Sequence, residues 1–442
     1  MSTAIRNVVY LHTHDMGRYI GPYGHAIPTP NLRAFAEHST LFRQAFSCAP
    51  TCSPSRAALL TGVTPHEEGM LGLAHRGFAL RNPGRHLAAF LRERGLLTAL
   101  VGVQHEFAHG ASLPYEYVAT MPDGSSLPSD RERVEAAVAF LEREHERPFF
   151  LSCGFSLPHR GFETADYSVY RPDRIQPPAP LPDTPVVRRD MADYHHTVNL
   201  VDASIGRVLD ALKRTGRERD TLVIVTTDHG IAFPLMKCNL TDHGIGVALM
   251  VAYPGNPSAG EASDALVSQI DLYPTICDLL GIAPPAHLQG RSLRPLFERT
   301  AEKVRDEVFA EVTFHVAYEP MRCVRTDRYK LIVRHEQGRR PLSNCDASPS
   351  RTALMEAGWG EQTLPSVELY DLFFDPNEAC NRADDPRLAE VRRELEARLM
   401  RWMRDTNDPL LAGRVPIPRG ALVNTVDSVE PEEGPFEPSG EM

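Results

Sequence analysis

Residues 221–230 read Thr-Leu-Val-Ile-Val-Thr-Thr-Asp-His-Gly. Leu222-Val223-Ile224-Val225 is continuously apolar, with no polar residue at alternate positions. A strand of that kind is buried on both faces, as in a sheet sandwiched between helices. Its exit is polar, because Asp228-His229-Gly230 follows at once. Ligands of an open α/β sheet sit beyond the carboxyl ends of its strands. The stretch therefore predicts a layer and the edge of that layer where chemistry belongs.

The same pattern recurs along the chain. Strands are expected at Asn7–His12, Leu97–Val103, Pro148–Gly154, Thr221–Thr227 and Gly246–Ala252, with helix-period segments near 30–38, 54–61, 84–95, 129–144, 187–214 and 266–280. Strands separated by helices imply parallel crossovers, hence an α/β fold. We expect a mixed, mostly parallel central sheet with helices on both faces. Past about residue 300 come Val308–Val312, Met321–Thr326, Tyr329–His335 and Glu368–Phe373, with Arg328 in a tight turn and a helix near 386–405. This predicts a smaller C-terminal antiparallel sheet with one helix. The expected division is a catalytic α/β domain over 1–300, an α+β subdomain over 301–412 and a Pro/Glu-rich tail over 413–442. The tail is expected to be disordered or draped on the surface.

Composition narrows the functional classes. The 442 residues are 42% hydrophobic and 24% charged, which excludes a disordered or fibrous protein. A net charge of -11 argues against nucleic acid as a partner. It leaves room for an anionic substrate, since a few cations in a cleft set the local field. The 8 cysteines form no C-x-x-C pair and read as reduced thiols. No apolar run approaches the roughly 20 residues of a membrane span, and no secretory h-region follows Met1. A cytoplasmic protein without a membrane partner is expected. Oligomeric state is not encoded in any motif.

Four expected strands end in ionisable residues: His12-Thr13-His14-Asp15, Gln104-His105-Glu106, Pro158-His159-Arg160 and Asp228-His229. Each one alone reads equally well as loop polarity, the two Asp-containing pairs as strand-exit turns. Their convergence on one edge favours a site. His14, Asp15, Asp228 and His229 are a plausible metal cage, carboxylates suiting hard cations and imidazole shifting the preference towards Mn²⁺ or Zn²⁺.

Residues 52–62 read Cys-Ser-Pro-Ser-Arg-Ala-Ala-Leu-Leu-Thr-Gly. Pro54 suits the first turn of a helix, so Cys52 would lie at a helix N-terminus, where anions are favoured, with Arg56 one turn on. The functional reading is an anion-binding nucleophile. The structural one is a small buried residue before a helix.

That stretch resembles the signature of the type I sulfatases of the alkaline-phosphatase superfamily. Thr29-Pro30-Asn31-Leu32, Thr227-Asp228-His229-Gly230, Lys237-Cys238-Asn239-Leu240, Gln269-Ile270-Asp271-Leu272-Tyr273-Pro274-Thr275, Gly290-Arg291-Ser292-Leu293, Glu368-Leu369-Tyr370-Asp371-Leu372 and Asp375-Pro376-Asn377-Glu378 extend the resemblance over nearly the whole chain. Within the family the chain is similar to the N-sulfoglucosamine sulfohydrolases, or sulfamidases. The segments that carry this are 53–62, 230–234, 318–322 and 402–409.

The resemblance implies that a separate formylglycine-generating enzyme oxidises Cys52 to formylglycine. It implies one divalent metal ion, Ca²⁺ by family habit, held by His14, Asp15, residue 52, Asp228 and His229. Arg56 would orient the formylglycine and the carboxylates. His105 would be the base, and His159 and Lys237 would contact sulfate and protonate the leaving group. The expected activity is hydrolysis of a sulfate ester or sulfamate on a sugar or glycan fragment. As ordinary loop residues, His105 and His159 would only cap strand ends, and Lys237 would be a solvated charge.

Three departures stand out. His14-Asp15 replaces an Asp-Asp pair, and Asp228-His229 replaces Asp-Asn, which makes Mn²⁺ the alternative metal. Val103 stands where the family has a Lys. Arg160 is one candidate to replace that cation, and His243 is another polar group without an assigned role. Asp-His at the second pair also occurs in phosphonate monoester and phosphodiester hydrolases of the superfamily, which form the alternative enzyme reading. A catalytically inactive binder of sulfated glycans is the third.

Overall fold

The computed structural model describes residues 4–122 and 125–438. Its larger sheet contains β1 (Asn7–Thr13), β2 (Thr40–Phe46), β3 (Leu97–Gly102), β4 (Tyr117–Val118), β5 (Phe149–Gly154), β6 (Thr221–Thr227), β7 (Leu249–Ala252) and β8 (Ala262–Ser268). The strand order is β4-β3-β5-β1-β6-β7-β2-β8. Only β7 runs against its neighbours β6 and β2, and every other pairing is parallel. The mixed, mostly parallel sheet is therefore as expected.

Burial explains the apolar runs. Val9 and Leu11 of β1 and Val223 and Val225 of β6 face one core. Val8, Tyr10, Leu222 and Ile224 face the other. Side chains alternate across a strand, so a strand covered on both sides must be apolar at every position. The first face is covered by the 30-residue helix Pro185–Arg214, whose Val187, Met191, Tyr194, Val198, Val201, Ile205 and Val208 recur at helical spacing. Thr184 caps it by accepting from the Val187 N–H. The helices Leu87–Glu93 and Leu272–Leu279 cover the second face.

Some elements differ from the sequence reading. β2, β4 and β8 lacked a signal. β2 is broken by the non-buried pair Arg43-Gln44, and β8 is an edge strand whose first half is partly exposed. The helix expected over 266–280 begins only at Leu272, because Leu266-Val267-Ser268 end β8. Ser268 and Asp271 form a capping box that breaks strand from helix at this point.

The smaller sheet holds β9 (Glu307–Phe314), β10 (Tyr318–Thr326), β11 (Tyr329–Arg334) and β12 (Val367–Asp371), antiparallel throughout and ordered β12-β11-β10-β9. One face packs Val324, Leu331 and Leu369 on Leu395, Leu399 and Met403 of the helix Ala389–Asp405. The other packs Val308, Ala310, Val312 and Ile332 on Phe46, Leu240, Ile245 and Leu266 of the α/β layer. The two sheets thus share an apolar seam that sets the smaller one against the larger.

The described tail residues, expected to be disordered or draped on the surface, are anchored by a buried apolar set. Val415, Ala421 and Val423 are buried against Ala57, Met70, Phe78 and Phe314. Among the described residues, no helix is long and apolar enough to cross a membrane.

Candidate active site

Parallel pairing of β1 and β6 sets Thr13 opposite Thr227. The residues that follow, His14-Asp15 and Asp228-His229, therefore leave the sheet side by side. Asp15 takes a left-handed backbone, φ 51, which Asp tolerates better than most residues and which turns its side chain back over the sheet end. Its N–H donates to Asp228 Oδ1 at 2.8 Å. His14 Nδ1 lies 2.9 Å from Asp15 Oδ1 and 3.4 Å from Asp228 Oδ2. His229 Nε2 lies 3.2 Å from Asp15 Oδ1. Gly230 follows because a Cβ there would meet the His243 carbonyl oxygen at 2.0 Å.

The helix Cys52–Thr61 enters this edge with Cys52 at its first position. The sulfur is 3.4 Å from His229 Nε2 and 4.0 Å from Asp15 Oδ1. Ligating atoms of His14, Asp15, Cys52 and Asp228, all buried, lie within 4.8 Å of one another. Two carboxylates and an imidazole at that spacing suit one hard or borderline divalent cation, with His229 as a further donor. All five residues expected to hold a metal are brought together.

Arg56 turns inward. It donates to Thr13 O at 3.0 Å and to Asp228 Oδ2 at 3.0 Å, and it meets His12 Nδ1. It braces a carboxylate of the cage. The opposed charges settle the protonation states. Burial works against ionising Asp15, yet Lys237, His14, His159 and His229 hold its carboxyl well below the usual carboxylate range. Burial likewise opposes ionising Asp228, while His229 and Arg56 pull it far down. Burial lifts the Cys52 thiol well above its ordinary value, Asp15 and Asp228 assisting, although Lys237 and Arg56 oppose. An unmodified Cys52 is thus a protonated thiol and a weak nucleophile.

His105 follows β3, and its Nδ1 lies 3.0 Å from His14 Nε2. β3 ends at Gly102, φ +87, where a Cβ would meet the Gly154 carbonyl oxygen at 2.2 Å. This close approach of β3 and β5 brings His105 near His159, whose ring sits edge-on to His14 with centroids 4.5 Å apart. His159 Nε2 is 3.8 Å from Asp15 Oδ2 and its side chain is 39% exposed, which places it at the mouth. Lys237 Nζ, in contrast, is buried between Asp15 Oδ2 at 2.9 Å and Asp346 Oδ2 at 3.1 Å. Burial would discharge it, but the two carboxylates raise it well above its ordinary value.

Arg160 does not replace the cation missing at Val103. Its guanidinium is bidentate on Asp190, donates to Ala232 O at 2.8 Å and lies over Phe162 and Phe233. His243 stands apart from the cage, bonded to Tyr19 Oη at 2.7 Å. Two groups escaped the sequence reading: Asp346 and His315 arrive from connections of the smaller sheet, while His12, near the end of β1, backs Arg56.

A pH dependence follows for the metal-free protein. Burial pushes His14 down to about 4. Its unfolded value is ordinary, about 6.5, so below that pH the unfolded chain binds a proton that the folded chain refuses. Stability is expected to fall as pH drops from about 6.5 to 4, by about 3 kcal/mol from this group. Denaturant midpoints at pH 7 and pH 4.5 with chelator check it, and His14→Asn should flatten the slope.

Residues 6–282 match the sulfatase family. The chain belongs to the sulfatase family. Residues 235–342 of this sulfatase also match the C-terminal region of N-sulphoglucosamine sulphohydrolase. Human N-sulphoglucosamine sulphohydrolase is 34% identical over 462 aligned residues, which cover 91% of each protein. Among solved structures, one determined in complex with its substrate D-glucosamine-2-N,6-O-disulfate superposes with a TM-score of 0.71 at 20% identity, covering 91% of this chain and 98% of that one. The phosphonate monoester hydrolase of Agrobacterium radiobacter superposes with a TM-score of 0.68 at 22% identity, covering 92% and 97%. The protein is a hydrolase of sulfuric esters or sulfamates.

Proposed function

We propose that this sulfatase cleaves a sulfamate or sulfate ester on a sugar, using formylglycine made from Cys52 and one divalent metal ion. The observation that carries this is the Cys52 sulfur at the start of its helix, 3.4 Å from His229 and inside the buried His14–Asp15–Asp228 cage. Formylglycine supplies a geminal hydroxyl as nucleophile, and the metal polarises the sulfuryl oxygens. The protein's own residues do the rest. Asp15, Asp228, His14 and His229 hold the cation, and Arg56 keeps Asp228 in place. Lys237 carries its proton beside Asp15 and presents it to the leaving atom, with His159 at the mouth as the second sulfate contact. His105, bonded to His14, is the base for product release. Similarity to a human sulphohydrolase of N-sulphoglucosamine supports a sugar substrate.

The test is to co-express the chain with a formylglycine-generating enzyme and weigh the peptide containing residue 52. Conversion removes about 18 Da. Loss of that mass with release of sulfate from a sulfated glucosamine supports the reading. A retained thiol, under conditions that convert a control sulfatase, overturns it. The imidazole at 229 favours one second reading, a phosphonate monoester or phosphodiester hydrolase. It requires faster turnover of a phosphodiester than of any sulfate.

Metal should also stabilise the fold. At a hundredfold excess over its dissociation constant, an ion that binds only the native state adds about 2.7 kcal/mol. Calcium and manganese titrations followed by thermal unfolding rank the two ions. A chelator should abolish turnover, and the preferred ion should restore it. No shift with either ion contradicts the cage.

A further inference from the structure

Two pieces of the smaller sheet close over Lys237. The first is the β9–β10 turn at 315–317. His315 there is buried, and its Nδ1 has no hydrogen-bond partner among the described residues. Val316 beside it packs on Cys52 and Leu73. The second piece is the β11–β12 connection. Asn344 Oδ1 accepts from the Val316 and Ala317 N–H groups at 3.0 and 2.8 Å, joining the two pieces into one wall. Asp346, two residues on, pairs with Lys237 at 3.1 Å. A buried polar atom left without a partner costs stability unless something else satisfies it, so His315 marks a place for ligand.

The chemistry of the leaving atom then distinguishes two substrates. The bridging nitrogen of a sulfamate carries a hydrogen, whereas the bridging oxygen of a sulfate ester has only lone pairs. An ionised carboxylate only accepts. Beside the leaving atom it makes a charge-assisted hydrogen bond to nitrogen and repels oxygen.

We propose that Asp346 accepts the N–H of a sulfamate leaving group, with His315 hydrogen-bonding the attached sugar, and that this wall selects N-sulfo over O-sulfo substrates. The inference rests on the reading of the site as a sulfamate or sulfate-ester hydrolase. Asp346 is a specificity-determining residue here, and Lys237 remains the proton donor. In the cleavage, a geminal hydroxyl oxygen of the formylglycine at residue 52 bonds to sulfur and loses its proton to solvent as the S–N bond breaks; the electron pair of that bond stays on nitrogen and the Lys237 proton goes to that nitrogen. Asp346 holds the N–H already present.

The test compares glucosamine N-sulfate with glucose 2-sulfate, which differ at the bridging atom, using protein with verified formylglycine. Glucose 2-sulfate is followed as substrate or as competitive inhibitor. Wild type should favour the N-sulfate. Asp346→Asn should lower kcat/KM for the N-sulfate about 10- to 100-fold more than it lowers cleavage or binding of glucose 2-sulfate. His315→Leu should raise KM for both compounds. Equal losses of Asp346→Asn on the two compounds would reveal a purely structural role and overturn the proposal, as would no loss on either. An unchanged KM in His315→Leu removes His315 from it. If converted wild type cleaves neither compound, the hydrolase reading falls together with this one.

Discussion

Cys52→Ala is expected to reduce turnover to background, a loss of at least about 10⁴-fold in kcat. The side chain is buried at a helix start, 4.0 Å from Asp15 Oδ1, and is the cysteine of the cage. Asp15, His14, Asp228 and His229 remain in place, so the variant should still bind metal. Product release under single-turnover conditions and metal-dependent melting are the two readings. Lost turnover with retained metal stabilisation places residue 52 in the chemistry. Retained turnover would mean that another group attacks and that the formylglycine reading is wrong. Equal loss of both would point to collapse of the site.

Arg56→Met should cost about 3–5 kcal/mol of stability, the usual result of removing one partner of a buried ion pair. Arg56 is 2% exposed and Asp228 3%. Its guanidinium meets Asp228, Thr13 O and His12, so the variant strands a carboxylate and a backbone carbonyl at once. A divalent cation should recover part of the loss, because it supplies positive charge to the same carboxylate. The control is Arg43→Met. Arg43 pairs with Asp264 at 3.3 Å, but the side chains are 63% and 69% exposed, and the expected change is within about 0.5 kcal/mol. Denaturation midpoints of the two variants decide the matter. Similar small effects would show that Arg56 contributes no more than a surface charge.

Legibility followed range. Leu222–Val225 announced a strand covered on both faces, and the adjoining Asp228-His229 announced the edge where the candidate site gathers, because both signals are local. The helix carrying Cys52 was visible from Pro54 and the Ala57–Leu60 run. β2 was hidden because Arg43-Gln44 breaks its run where the strand is less buried. Arg160 looked free to replace a cation at Val103. Only packing shows it committed to Asp190, a residue of the long helix Pro185–Arg214.

The sequence by itself determined the alternation of strand and helix, the strand ends that carry the candidate site residues and the helix that begins at Cys52. Each rests on residues adjacent in the chain or at a fixed period, where backbone geometry alone dictates placement. Tertiary structure decided the rest. Parallel register at Thr13 and Thr227 brought two acid–imidazole pairs together across more than two hundred residues. The seam between the sheets carried Asp346 to Lys237 and His315 next to Val316, which packs on Cys52. No period or motif marks those two side chains, because their surroundings come together only once the two sheets have packed.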